Sequence, residues 1–232
     1  MTVERSIDDC LRARAARRSL PYRVATTGEV AAALERWMRE LYGERARVEH
    51  LERAPGGASK ENFFFELALP DGSQSLLLRL DPGESIVETH RLREFQILRA
   101  VQGALPAPRA VAVDAEGERL GRPSLVMTKV SGRPQPELGG RTSGVGIAYE
   151  PALRGPLARE FVSALVALHG IDWRARELSA FDVPRAATTE AAAWSFAWWE
   201  RVYREDRVED HPVVVFAAEW LRDHLPCADR LA

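Results

Sequence analysis

The chain has 232 residues, 46% hydrophobic and 28% charged, enough for one large or two small domains with a real core, and no run is apolar for long enough to span a membrane. Thirty-two basic against thirty-four acidic residues give a formal net charge of -2, which excludes a net field drawing the whole protein to nucleic acid or to an anionic membrane. Two widely separated cysteines, Cys10 and Cys227, match neither a disulfide framework nor a metal-ligand spacing and suit a reducing cytoplasm.

The first 25 residues read as a charged leader or surface helix. Arg5, Arg12, Arg14, Arg17 and Arg18 are followed by no apolar run, which excludes a secretory signal, and Glu4, Asp8 and Asp9 argue against a transit peptide. Residues 26–29 have the form of a capping box, after which Val30, Leu34, Trp37, Met38 and Leu41 recur at helical spacing up to Gly43. Three antiparallel strands follow at 48–53, 63–69 and 76–80, the first two joined by a Gly-rich turn and the last two by a turn at Asp71 and Gly72. Beyond the break at Pro82 and Gly83, residues 86–101 return to helical period, with Val87, Leu98 and Val101 on one stripe, Leu92 and Phe95 beside it, and Glu94 falling on it.

Two more strands are predicted at 109–114 and 124–130, separated by an Asp-Ala-Glu-Gly turn. Residues 131–156, rich in Gly, Pro and Ser, mark a boundary between lobes or a long exposed loop. Everything beyond is helical: Leu153, Leu157, Phe161, Leu165 and Leu168 make one stripe, a second helix covers 187–205, and a third runs over 213–225 after Pro212. The organisation is thus a leader over 1–25, a first lobe over 26–132 and a helical region over 133–232.

Three groups of residues could carry chemistry. Gly56, Gly57 and Ser59 lie in the turn between two strands, where glycines let the backbone approach a ligand and successive amides with a Ser hydroxyl can cradle phosphate; a plain hairpin turn explains the same letters. Arg79 ends an apolar strand, and Glu94 lies on the apolar stripe of the next helix, where an unpaired carboxylate is costly, so each suggests the other as partner; alternatively Arg79 snorkels to water and Glu94 is edge-exposed. The run at 124–132 is an apolar strand entering a Gly-containing connector, where the backbone of Thr128 and Val130 could meet an adenine edge with Met127 behind it. Read alone, that run is better explained as a strand running into a loop.

The glycines at 139, 140 and 144 are read as a flexible loop, because the Lys of a Walker sequence and its preceding strand are missing. Trp194, Trp198, Trp199 and Trp220 are read as core rather than pocket lining. The five histidines form no metal-binding spacing.

In order along the chain, GGASKENFFFEL (56–67), LLLRLDP (76–82), HRLREFQILRAV (90–101), LPAPRAVAVD (105–114), SLVMTKVSGRP (124–134) and LVALHGIDW (165–173) resemble the aminoglycoside phosphotransferase family of the protein-kinase-like superfamily, especially its branch related to acyl-CoA-dehydrogenase-associated kinase domains. The resemblance implies an α+β, two-lobed fold: an N-terminal lobe with a five-stranded antiparallel sheet and a helix, then a helical lobe that is incomplete here. It implies ATP and Mg as cofactors and an unidentified small-molecule hydroxyl as acceptor. By the same resemblance Gly57 and Ser59 belong to the loop over the phosphates, and Arg79 is the phosphate anchor with Glu94 as its helix partner. Met127 looks like the gatekeeper, with the Thr128 carbonyl and Val130 amide as adenine contacts.

The family's transfer chemistry uses a His-Gly-Asp loop followed by an Asn that holds metal. Asn62, in the first hairpin, is the only Asn of the chain, and His169-Gly170-Ile171-Asp172 has the wrong internal spacing, so it reads as a helix end with a Gly cap. The expectation is therefore a chain cut before its catalytic loop, unable to transfer phosphate alone and prone to self-association through apolar surface. The rivals are a self-contained, inactive module that binds nucleotide or a partner, and a purely structural domain.

Overall fold

The computed structural model of the protein describes residues 2–17, 26–54, 60–82, 89–132 and 151–229. Helix α1, Arg5–Arg17, lies in the segment read as a leader, and it docks through Ile7 and Leu11. Helix α2, Thr27–Tyr42, begins at the expected capping box: the Thr26 hydroxyl accepts from the Glu29 amide at 3.3 Å, and the Glu29 carboxylate accepts from the Thr26 amide at 2.9 Å. The reciprocal pair satisfies two amides that a helix start otherwise leaves without partners. Of the predicted stripe, Val30, Leu34, Trp37 and Met38 are buried, whereas Leu41 on the last turn is exposed.

Strands β1 (Arg47–Arg53), β2 (Glu61–Leu69), β3 (Gly72–Leu80), β4 (Ala110–Asp114) and β5 (Ser124–Thr128) form one antiparallel sheet in the order β1-β2-β3-β5-β4. Leu69 pairs with Gly72, so the hairpin loop is Pro70 and Asp71, one residue earlier than the sequence suggests. Alternation along β2 and β3 sends Phe63, Phe65, Leu67, Leu76, Leu78 and Leu80 to one face, where they meet the buried side of α2 in the main core. The turn between β4 and β5 is held by Asp114, whose carboxylate accepts from the amides of Glu118 and Arg119. Gly117 there has φ +79°, and a Cβ would lie 2.7 Å from the Arg122 backbone, so only glycine fits.

Helix α3, Arg91–Ala100, starts later than the period over 86–101 predicts: Thr89 and His90 are not helical, and residues 83–88 lie outside the described residues. Its fully covered positions are Arg91 and Gln96 rather than the apolar stripe. Gln96 donates to the Ser179 hydroxyl at 2.8 Å and accepts from the Ala180 amide at 3.0 Å, which binds the helix to the C-terminal region. Burial of polar groups at these positions is offset by those hydrogen bonds.

Helices α4 (Pro151–His169), α5 (Glu190–Asp206) and α6 (Pro212–Asp223) make up the C-terminal region, α6 starting with a proline at its first turn. Gly170 follows α4 as expected, its amide on the Val166 carbonyl at 3.0 Å, and Asp172 caps a following 3-10 turn by accepting from the Arg174 amide at 3.1 Å. These helices keep large apolar groups in water: Phe161 is 70% exposed, Val166 68%, Val213 79% and Phe216 72%. Reading the tryptophans as core fails for Trp199 and Trp220, which are about half exposed; Trp198 stacks on Trp199 and Trp220 on His224 instead. Periodicity marks an apolar stripe but carries no information on whether another element covers it.

Helix α1 and the residue before it bridge the two regions by ion pairs, Glu4 with Arg93 of α3, and Asp8 with Arg201 and Arg14 with Asp206 of α5. None of the described helices is long and apolar enough to cross a membrane.

Candidate nucleotide-phosphate site

Cross-strand partners share a sheet face, which sorts the predicted site residues. Asn62, Arg79 and Leu125 form one row across β2, β3 and β5, and Phe64, Leu77 and Met127 form the next. Both rows lie on the face turned away from α2, so Arg79 and Met127 are diagonal neighbours, roughly 7–8 Å apart at their backbones. Nothing in the run LLLRL distinguishes its two faces, because leucines occupy both; the strand pairing makes the distinction.

Arg79 is half-buried and pairs with Glu94 of α3 through Nη1 and Glu94 Oε1. Its Nε donates to Asn62 Oδ1 at 3.2 Å. The partnership suggested by two separate costs, an arginine in an apolar strand and a carboxylate on an apolar stripe, is thus present. Asn62, the one asparagine of the chain, orients the arginine from the neighbouring strand.

The network continues through residues that sequence reasoning missed. Arg91, with a fully buried side chain, donates from Nη1 to Glu94 Oε2 and from Nε to Asp81 Oδ1 at 2.9 Å. Its Nη2 reaches Asp81 and, at 3.0 Å, the Thr89 hydroxyl. Lys60 Nζ donates to the same Asp81 Oδ1 at 3.2 Å. Arg91 stands three residues before Glu94, a spacing that brings side chains together on a helix. That was the available signal; Asp81, after the strand, had none without the fold.

Met127 is buried in β5, opposite Leu77 and Ala110. The Thr128 amide donates to the Arg109 carbonyl at 2.9 Å, and its hydroxyl accepts from the Arg109 amide at 2.9 Å. Val130, just past the strand, is 58% exposed. Gly57 and Ser59 lie outside the described residues, as do the glycines at 139, 140 and 144; the described chain resumes at Lys60. Arranged this way, the face offers a guanidinium beside half-buried Phe64 and Leu77 and buried Met127: a cation for phosphate next to apolar area for a ring.

A cleft of about 380 Å³ lies elsewhere, between α1, the start of α3 and the β4-β5 turn, and is lined by Asp81, His90, Arg91 and Arg122 but not by Arg79 or Met127. It touches the far end of the network. We place the candidate site on the Arg79 face, because that is where a cation, apolar area and the strand end at Thr128 coincide. Among the described residues no group of three His, Cys, Asp or Glu side chains could hold a metal ion.

His90, which precedes α3, has its Nδ1 buried with no hydrogen-bond partner. Desolvation holds its pKa below the ordinary imidazole value; Glu116, Asp9 and Asp81 pull the other way, while Arg93 adds to the depression. The folded chain therefore binds fewer protons at this site than the unfolded chain. The stability contributed is complete above the unfolded value of about 6.5 and is lost as pH falls from there through the folded value. Thermal melts between about pH 7.5 and 5.5 should show a decline that His90→Gln reduces, and a variant with an unchanged pH slope would contradict this account.

Comparison with known proteins adds to this geometry. The model of a family described as the phosphotransferase enzyme family matches residues 50–231. A crystal structure of a candidate aminoglycoside phosphotransferase from Ralstonia eutropha JMP134 is similar with a TM-score of 0.55 at 25% identity, over 84% of this chain and 53% of that one. The chain thus spans about half the length of that relative. No curated protein matches.

Proposed function

Because the chain belongs to the phosphotransferase enzyme family, its matched residues covering 50–231, we propose that the face carrying Arg79 binds ATP for phosphorylation of a hydroxyl on a small molecule. The observation that carries this is the ion pair between Arg79 of β3 and Glu94 of α3, next to Met127 and to the chain leaving the Gly-rich turn. Phosphoryl transfer rests on positioning and charge neutralisation, and a strand cation held by a helix carboxylate supplies both for a bound phosphate. Arginine suits the position: its charge is permanent, and its fork can hold a carboxylate and a phosphate together.

In this reading Asn62 orients the guanidinium, Glu94 fixes its outer edge, and Gly57 and Ser59 close over the phosphates. Phe64, Leu77 and Met127 give the adenine an apolar wall, and the Thr128 carbonyl and Val130 amide meet its edge. ATP would supply the phosphoryl group. The described residues offer no fitting ligand set for Mg, so no step is assigned to the metal. The acceptor-orienting Asp and metal-holding Asn of the wider fold have no counterpart after Asn62, and Asp172 is engaged in capping its own turn. We therefore assign this chain nucleotide binding in a reducing, cytoplasmic setting, without transfer on its own, and its uncovered apolar helices favour self-association. Aminoglycoside specificity is not part of the assignment, since fold does not carry substrate.

Calorimetric titration with ATP and Mg should show saturable binding, while a phosphate-transfer assay on the 232-residue chain should stay at background. A folded chain that shows neither heat nor thermal shift at millimolar ATP would rule the nucleotide reading out. Robust turnover would rule out the inactive state.

A further inference from the structure

We propose that Arg91 is the positioning residue of the phosphate site: locked on Asp81, it holds one oxygen of Glu94 so that the other keeps the Arg79 fork aligned for an incoming phosphate. The proposal rests on the nucleotide reading above and deepens it.

A buried arginine is expensive unless every charge near it is answered. Arg91 is the first residue of α3, and its side chain has no exposed surface. It is answered on two sides at once: Asp81 takes Nε and Nη2, and Glu94 takes Nη1. The two carboxylate oxygens of Glu94 are thereby divided, Oε2 to Arg91 and Oε1 to Arg79. A glutamate held only by Arg79 would be free to change rotamer when phosphate competes for that guanidinium. Anchored by Arg91, it stays, and Arg79 can take phosphate without losing its orientation.

Asp81 gives the clamp its reach. It directly follows β3, two residues after Arg79, and its amide donates to the Pro123 carbonyl at 3.0 Å, which fixes it to the start of β5. Lys60, where the chain leaves the Gly-rich turn, donates to the same carboxylate oxygen as Arg91. One buried guanidinium therefore sets β3, α3 and the exit of that turn relative to one another. Lysine could not replace it, because a single ammonium cannot span two carboxylates in a fixed plane.

The charges point the same way. Among the described residues, Arg79, Arg91 and Lys60 face Asp81 and Glu94. Arg91, the most buried of the three cations, is covered by its two carboxylates, and the most exposed is Arg79. Of these cations, Arg79 is thus the one that a phosphate can reach most readily.

The test is calorimetric titration of ATP and of adenosine into the wild-type chain, Arg91→Lys, Arg79→Ala and the double variant. Arg91→Lys keeps the charge and loses the fork, so ATP affinity should fall about tenfold while adenosine changes less than about twofold. In the Arg79→Ala background the same substitution should have almost no further effect on ATP, because Arg91 acts through Arg79. Asp81→Asn, which loosens Arg91 without opening a cavity, should repeat the pattern and serves if Arg91→Lys fails to fold. Unchanged ATP affinity in Arg91→Lys, equal losses for ATP and adenosine, or a full additional loss in the double variant would each overturn the proposal and leave the nucleotide reading intact. A wild-type chain that binds no ATP removes both.

Discussion

Arg79→Ala is expected to weaken ATP binding roughly tenfold to a hundredfold, the worth of one or two charge-assisted hydrogen bonds, while adenosine affinity stays within about twofold. The difference between the two ligands is the informative quantity, because only the phosphates reach the guanidinium. The fold should tolerate the change. Arg79 is 32% exposed, and its removal leaves Glu94 still held by Arg91, so no buried carboxylate is stranded. Isothermal titration of both ligands, with a melting curve beside it, decides the matter. Equal weakening of ATP and adenosine, or collapse of the melting temperature, would mean that Arg79 acts on the fold rather than on phosphate.

The second large effect concerns stability and separates the two regions of the chain. Leu34→Ala should cost about 3 kcal/mol, since it removes a fully buried side chain between α2 and the sheet and leaves a cavity in a core that cannot close around it. Phe161→Ala removes a larger side chain yet should change stability by less than about 0.5 kcal/mol, because its ring on α4 is mostly in water. Urea unfolding followed by circular dichroism compares the two variants under one condition. A loss for Phe161→Ala as large as that for Leu34→Ala would show that α4 is covered in solution, by another copy of the chain or by another segment.

Much of the sheet region was legible because its signals are local. Thr26 and Glu29 specify a helix start by hydrogen bonds within four residues, and the alternation of Phe63, Phe65 and Leu67 needs no distant partner to mark a strand face. The pairing of Arg79 with Glu94 was legible for another reason: each residue is costly where it stands, and the cost is relieved by the other. Local period failed at α3, where the covered positions are Arg91 and Gln96 rather than the leucines. The reading of the tryptophans as core failed at Trp199 of α5 and Trp220 of α6, which are about half exposed.

By itself, then, the sequence determined most of the elements and suggested the charged pair, since helix caps, strand alternation and the penalty on an isolated charge act over short range or on one residue at a time. Tertiary structure alone decided that Asn62 and Arg79 share a row, that Met127 lies on the same face, and that Arg91 and Asp81 lock the glutamate. It also decided that α1 ties α3 to α5, through Ser6 and Asp8. Those relations depend on strand register and on which buried polar groups meet, and both are set by packing between segments far apart in the chain rather than by any pattern within one of them.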